Sequence, residues 1–293
     1  MSELRGKIDF VVLVSATNAN PNGDPLNGNR PREDYAGYGE ISDVCIKRKI
    51  RNRWQDMGAE IFVQSDDRAN DGFKSLKDRA DGYEPLKVEI ARKKSANREK
   101  CARLACDKWM DVRSFGQVFA FKGSDVSLGI RGPVSIHQAV SVEPVDIISM
   151  QITKSVNSES GKEGKASDTM GTKHRIGFGL YMVKGSVNVQ LAEKTGFSQE
   201  DADMLKEALK TLFENDASSA RPEGSMEVCD LYWWQHTEKI PAVSTAQVHR
   251  SVKVKAREDE TKSYADRPRS YADYEIVLEN PEGCVEPEVY HFV

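Results

Sequence analysis

The segment Ile8–Thr17, IDFVVLVSAT, constrains this chain more than any other. An unbroken, valine-rich apolar run cannot keep one face in water, so it predicts a central strand buried on both faces. The stretch after it, NANPNGDPLNGNRP, is packed with Asn, Gly and Pro and can neither prolong a strand nor start a long helix. Ser42-Asp43 then offers an N-cap to VCIKRKIRNRWQDMG, in which Val44, Ile46, Ile50 and Trp54 share one predicted apolar face and Gly58 stands at the C-cap position. EIFVQ, Glu60 to Gln64, predicts a short second strand. The chain therefore opens strand, Asn/Gly loop, basic helix, strand.

From Ser65 to about Lys108 the sequence is highly charged and reads as helical, with interruptions at Gly72, Gly82 and Pro85. Within it, residues 96–110 predict an amphipathic helix with Leu104 and Trp109 inward. Gln117 to Phe121 reads as a strand, and SLGIRGPVSIHQAVSVEPVDIISMQIT as two strands broken at Gly132-Pro133. SVNSESGKEGKASDTMGT, Ser155 to Thr172, is almost free of large apolar groups yet flanked by strand-like segments. A long hairpin with a projecting tip accounts for it, and a plain surface loop is compatible with the same residues. Gly179 to Gln190 reads as a strand, Ser198-Gln-Glu-Asp201 as a capping box opening DADMLKEALKTLF, and SMEVCDLYWWQH and DYEIVLEN as late strands. This order fits a ferredoxin-like or RNA-recognition-motif sheet carrying large insertions.

Composition narrows the function classes. At 39 % hydrophobic and 30 % charged, the 293 residues are those of an ordinary soluble globular protein. No apolar run approaches the roughly 18 residues of a membrane span, and Met1 to Lys7 carries no signal-peptide pattern, so no membrane partner and a cytoplasmic location are expected. The five cysteines are scattered and the five histidines miss zinc-ligand spacing, so neither a disulfide framework nor a metal or other cofactor is expected. Net charge is −4, but Lys47, Arg48, Lys49, Arg51 and Arg53 are crowded between Val44 and Trp54 with no acid among them. Such a stripe suits a polyanion partner, and a solvated helix face explains it equally well.

Phosphate contact is the chemistry the residues support best. The Asn/Gly loop brings backbone N–H groups up to the basic helix, whose arginine forks can hold phosphate oxygens in pairs. Arg113, Phe115, Gly116 and Gln117 in DVRSFGQ, with Arg131, Gly132, Ser135 and His137 in GIRGPVSIH, set glycine beside arginine and would let a nucleic-acid backbone come close. Ordinary strand ends with turn glycines are the competing reading. Lys173, His174 and Arg175 form a third basic spot. GKEGKAS lacks phosphate-loop spacing, and no GxSxG or HExxH frame is present. Asp24 reads as a turn residue and Asp43 as a helix-start residue, although either could in principle hold a metal or activate a hydroxyl.

Together, VVLVSATNANPNGDPLNGNRP, SDVCIKRKIRNRW, DVRSFGQVFAF, GIRGPVSIH and MGTKHRIGFGLY, in this order between residues 11 and 181, resemble the Cas seven family (Csd-type) backbone subunit of type I-C CRISPR Cascade. The resemblance implies an α+β fold: a single domain over 1–293 with a modified RNA-recognition-motif (ferredoxin-like) palm, a helical insertion at 65–110 and a thumb hairpin at 145–180. It implies an antiviral-defence protein, not an enzyme, whose copies stack along CRISPR RNA as a helical filament beside other Cascade subunits. The guide would pair with target DNA, and a recruited helicase-nuclease would cut it. It places Asn20, Asn22, Lys47, Arg48 and Arg51 on the guide backbone and Arg113, Gln117, Arg131 and His137 along the palm, with Met150 and Met170 as candidate wedges between bases. Related subunits cut RNA with an aspartate in the loop after the first strand, so a metal-dependent endoribonuclease using Asp24 is the alternative. A stand-alone RNA chaperone is a third.

Overall fold

The computed structural model describes residues 2–120, 127–153, 170–257 and 267–293. Ile8–Thr17 lies inside a seven-stranded antiparallel sheet, hydrogen-bonded to Phe178–Val187 on one side and Met226–Gln235 on the other. Ala139–Pro144 and then Tyr38–Ile41 continue the sheet beyond Phe178–Val187, Val134–Ile136 pairs with the far end of that strand, and Glu288–His291 closes the opposite edge. Every residue of the first strand except Thr17 is buried. Its alternation feeds two cores, because neighbouring strand residues point to opposite faces. Ile8, Phe10, Val12 and Val14 join one cluster, and Val11 and Leu13 the other.

Two helices cover the first face. Asp43–Asp56 starts on Ser42, whose hydroxyl accepts from the Cys45 amide, and stops at Gly58 with φ +86°. Ile46, Ile50 and Trp54 are buried as the spacing predicts, whereas Val44 is exposed. Gln199–Lys210 begins in the predicted capping box, with Ser198 and Asp201 bonded reciprocally, and buries Leu205 and Leu209. The Trp54 indole donates to the Met204 carbonyl and ties the two helices together. Gly185 is demanded by the packing: a Cβ there would lie 2.2 Å from the Phe10 ring. The second face is covered by the Thr245–Ser251 helix and by a hairpin of Val252–Ala256 with Tyr274–Leu278. DYEIVLEN thus forms a strand outside the central sheet.

A third cluster joins Phe62 to Ala80, Leu86, Cys101, Ala105, Cys106 and Trp109, drawn from the helices Leu76–Gly82, Glu84–Ile90 and Arg98–Lys108. Leu104 is half-buried, and the helix expected over 96–110 breaks at Trp109 before a separate turn, Met110–Phe115. EIFVQ is no strand. The Phe62 and Val63 amides donate to the buried Asp111 carboxylate at 2.7 and 3.0 Å, so a side chain takes the place a neighbouring strand would have. The segment expected as two strands forms four: Leu128–Arg131, Val134–Ile136, Ala139–Pro144 and Ile147–Thr153. The expected strand at Gln117 to Phe121 is Gly116–Phe119, and Phe121 lies outside the described residues.

Ile147–Thr153 pairs with Met170–Ile176 as a separate two-stranded hairpin. The tip expected at Ser155 to Thr172 falls outside the described residues up to 169, and Met170 to Thr172 are strand. Among the described residues, no helix is long and apolar enough to cross a membrane.

Arg79, nearly buried in the helical cluster, donates from Nε to Asp71 at 2.6 Å and from Nη1 to the Phe62 carbonyl at 2.8 Å. The hydrogen bond from Arg79 holds the Asp71 carboxyl below the ordinary aspartate value of 3.8. A depressed folded-state value stabilises the fold above the unfolded value, and that contribution is lost as pH falls through the folded one. Urea unfolding should find Asp71→Asn less stable than wild type at pH 5.5, with the gap closing below pH 3.8. A gap independent of pH would show that Asp71 acts only through its shape.

Candidate nucleic-acid interface

The Asn/Gly loop is internally hydrogen-bonded. The buried Asn20 donates from Nδ2 to the Asn29 carbonyl at 2.7 Å, and Asn22 Oδ1 accepts from both the amide and the hydroxyl of Ser42. Asn22 thereby braces the N-terminus of the basic helix. Asp24 caps the turn Pro25–Asn27, accepting from the Leu26 amide and from Arg32. The backbone amides of Asn18, Asn20, Asn29 and Arg32 donate to carbonyls of Gly177, Ala220, Asp24 and Asn22, so these N–H groups are not open to phosphate as the sequence suggested.

The basic helix turns most of its charge inward, for it is packed against several elements at once. Lys47 donates to Asp43 at 2.9 Å, Arg48 to the Val63 carbonyl at 2.6 Å, and Arg51 to the buried Asp111 at 2.9 Å while lying over the Phe115 ring. Lys49 is buried against Asp216, and Arg53 reaches Thr211 and Glu214. Burial lowers the pKa of Arg48 and Lys49. The hydrogen bond from Lys47 holds Asp43 low, as expected of a carboxylate in the first helical turn.

The four residues expected along one palm surface are divided. Arg113 makes a two-pronged ion pair with the buried Asp201, at 2.9 and 2.6 Å. Gln117 donates to the Val118 carbonyl, in a strand whose Phe119 enters the helical cluster. Arg131 is exposed opposite Gly116. His137 lies elsewhere, exposed beside His249 with ring centroids 5.5 Å apart.

The third basic spot meets the loop. The Ile176 amide donates to the Ala19 carbonyl, so the base of the hairpin is stitched to the end of the first strand. Ser149 Oγ lies 2.8 Å from His174 Nδ1 and accepts from Arg30 at 3.1 Å. On the opposite hairpin face Lys173 stands across from Met150 and Arg175 from Ile148, and Ile148, Met150 and Ile152 are exposed. Among the described residues, Arg30, Lys173 and Arg175 form no ion pair with a carboxylate, and Arg175 Nε is buried without a hydrogen-bond partner. Unpaired cations beside exposed apolar side chains can hold phosphates and pack against bases or sugars. Local sequence pattern does not single out Arg30 or Ser149; they meet only because the loop folds against the hairpin.

Removing one member of a buried pair leaves an uncompensated charge. Arg113→Ala should therefore cost about 3–5 kcal/mol in urea unfolding at pH 7, whereas Lys173→Ala should stay within about 0.5 kcal/mol. Equal effects would contradict this division between structural and free cations.

A family model described as CRISPR-associated protein Cas7 matches residues 6–279. A curated relative from Haloferax volcanii, also described as CRISPR-associated protein Cas7, is 27 % identical over 235 residues, which is 72 % of this chain and 65 % of that relative. The match thus spans less than two thirds of the relative's own length. A chain of a solved CRISPR RNA-guided surveillance complex, described as pre-nicking, shares the fold at TM-score 0.52 and 17 % identity, covering 88 % of this chain and 83 % of its own. A chain of another such surveillance complex overlaps only at TM-score 0.43 and 16 % identity, over 78 % of this chain and 68 % of its own. With the family model covering all but the two ends, the chain belongs to the CRISPR-associated protein Cas7 family.

Proposed function

We propose that this chain is a guide-RNA-binding backbone subunit of a type I-C Cascade complex, and that it does no cutting itself. The observation that carries the reading is the corner at the hairpin base beside the Asn/Gly loop, on a Cas7-family chain: Arg30 meets Ser149 and His174 on one face, and Lys173 and Arg175 stand beside the exposed Ile148 and Met150 on the other. Membership of the CRISPR RNA-guided complexes named for its structural relatives would supply the RNA, the other Cascade subunits and further copies of the chain. Copies would stack along the guide and leave its bases to pair with target DNA, which a recruited helicase-nuclease would cut. The antiparallel order Met226–Gln235, Ile8–Thr17, Phe178–Val187, Ala139–Pro144, with two helices on one face, supports a palm of RNA-recognition-motif type. The hairpin Ile147–Thr153/Met170–Ile176 is the natural base of a thumb within 145–180, and residues 65–110 are the insertion. The subtype rests on the ordered sequence blocks between residues 11 and 181.

Asn20 and Asn22 serve this site indirectly by holding the loop, whereas Arg51 and Arg113 tie helices of the body together. Lys47 and Arg48 keep partial exposure and Arg131 is exposed, so each can still meet a polyanion. Gln117 and His137 lie away from the corner.

Two measurements bear on this reading. Fluorescence anisotropy with labelled CRISPR RNA should find Arg30→Ala/Lys173→Ala/Arg175→Ala weakened at every sequence tested, with the slope of log K on log[salt] shallower by about 2, at roughly 0.7 per lost contact. Unchanged affinity and slope would remove the corner from the interface. Incubation with guide, complementary RNA and magnesium should leave the RNA whole, with wild type and Asp24→Ala alike. Regular cuts that vanish in Asp24→Ala would instead establish the endoribonuclease.

A further inference from the structure

The turn between the helices Glu84–Ile90 and Arg98–Lys108 concentrates charge that the loop–hairpin corner does not use. Residues 91–103 carry Arg92, Lys93, Lys94, Arg98, Lys100 and Arg103 against the single acid Glu99, in a chain whose net charge is −4. The turn is sharp and fixed. Lys93 takes a left-handed backbone, φ +54°, which residues with side chains rarely adopt. The Ser95 and Ala96 amides donate back to the carbonyls of Arg92 and Lys93. Glu89, only 1 % exposed, braces the turn from beneath. Its Oε1 accepts from the Asn97 amide at 3.0 Å, and its Oε2 lies 3.4 Å from Arg92 Nη1 and 3.0 Å from Lys100 Nζ. One buried carboxylate thus draws together two cations from either side of the turn. It does not answer the whole group: among the described residues, Lys93, Arg98 and Arg103 form no ion pair with a carboxylate. Arg92, Lys93, Arg98, Lys100 and Arg103 are all exposed, while Cys101, Ala105 and Cys106 anchor the other side of their helix in the third cluster.

Like charges crowded on one surface repel each other and attract a polyanion. The kind of polyanion follows from the other side chains of this region. No aromatic residue occurs between Glu84 and Lys108, and Val88 is the one exposed large apolar side chain described there. A single strand is held by stacking its bases on aromatic side chains as well as by charge. A duplex keeps its bases inside and offers phosphates alone on its outer surface. Arg98 and Arg103 stand about 7.5 Å apart along the helix axis, roughly two base-pair steps of 3.4 Å. We propose that this turn binds the outer phosphate backbone of a double-stranded nucleic acid. The proposal rests on the reading of the chain as a nucleic-acid binder, and adds a duplex contact that the guide-holding corner does not supply.

The test compares Lys93→Gln/Arg98→Gln/Arg103→Gln with the Arg30/Lys173/Arg175 triple-alanine variant, with circular dichroism to verify folding. Each is titrated with a short labelled DNA duplex, the RNA duplex of the same sequence, and single-stranded RNA. The glutamine variant should bind duplex DNA more than about tenfold more weakly, with a salt slope shallower by about 2.7, three contacts at roughly 0.9 each. Its binding of single-stranded RNA should match wild type. Loss on both duplexes assigns the site to phosphate alone, and loss on one of them to the groove shape of that helix form; either supports it. If the glutamine variant binds both duplexes like wild type while the alanine variant loses single-stranded RNA, the corner stands and this site falls. Equal loss on single-stranded RNA and duplex would make the turn part of the single-strand interface, and a wild type that binds neither duplex would leave it no such ligand; both overturn the proposal. If the alanine variant keeps single-stranded RNA and the glutamine variant loses the duplex, the corner falls and this site stands.

Discussion

The Ile8–Thr17 strand is the element on which the rest of the molecule depends. Pairing on both edges satisfies its backbone, and alternate side chains bury themselves in two cores on opposite faces. Neither face could be left in water, so the chain must bring a layer to each: helices Asp43–Asp56 and Gln199–Lys210 on one, the C-terminal hairpin and the Thr245–Ser251 helix on the other. The Asn/Gly loop leaves from the end of this strand, and its first residues bond to the hairpin base at Ile176 and Gly177. The loop and the hairpin base are therefore both tied to the end of the central strand.

Electrostatics inside the protein decide which cations remain for a ligand. Asp111 and Asp201 are buried, and a buried carboxylate is tolerable only when paired and hydrogen-bonded. They claim Arg51 and Arg113, and Asp216 claims Lys49. The densest run of basic residues in the chain is thus largely spent on holding helices together. Among the described residues, the cations without a carboxylate partner are scattered in sequence, and Lys173 and Arg175 on the hairpin are two of them.

Much of the fold could be read locally. The both-faces-buried strand, the caps at Ser42 and Ser198, the strand through Tyr232-Trp233-Trp234 and the pairing flanks of the hairpin each follow from neighbours a few residues apart. EIFVQ misled because its strand-like composition says nothing about Asp111, whose carboxylate occupies the Phe62 and Val63 amides. Val44 misled for the opposite reason: helical spacing puts it near the apolar face, but no neighbouring element covers it there.

The sequence by itself determined the central strand, the loop–helix order after it, the family blocks and the types of residue available to a polyanion. Only the tertiary structure decided which of those residues are free. Periodicity and capping act over one or two turns, and local sequence carries them in full. Whether a cation is paired depends on carboxylates far along the chain, such as Asp111 against Arg51 or Asp201 against Arg113, which come near only when the two cores close.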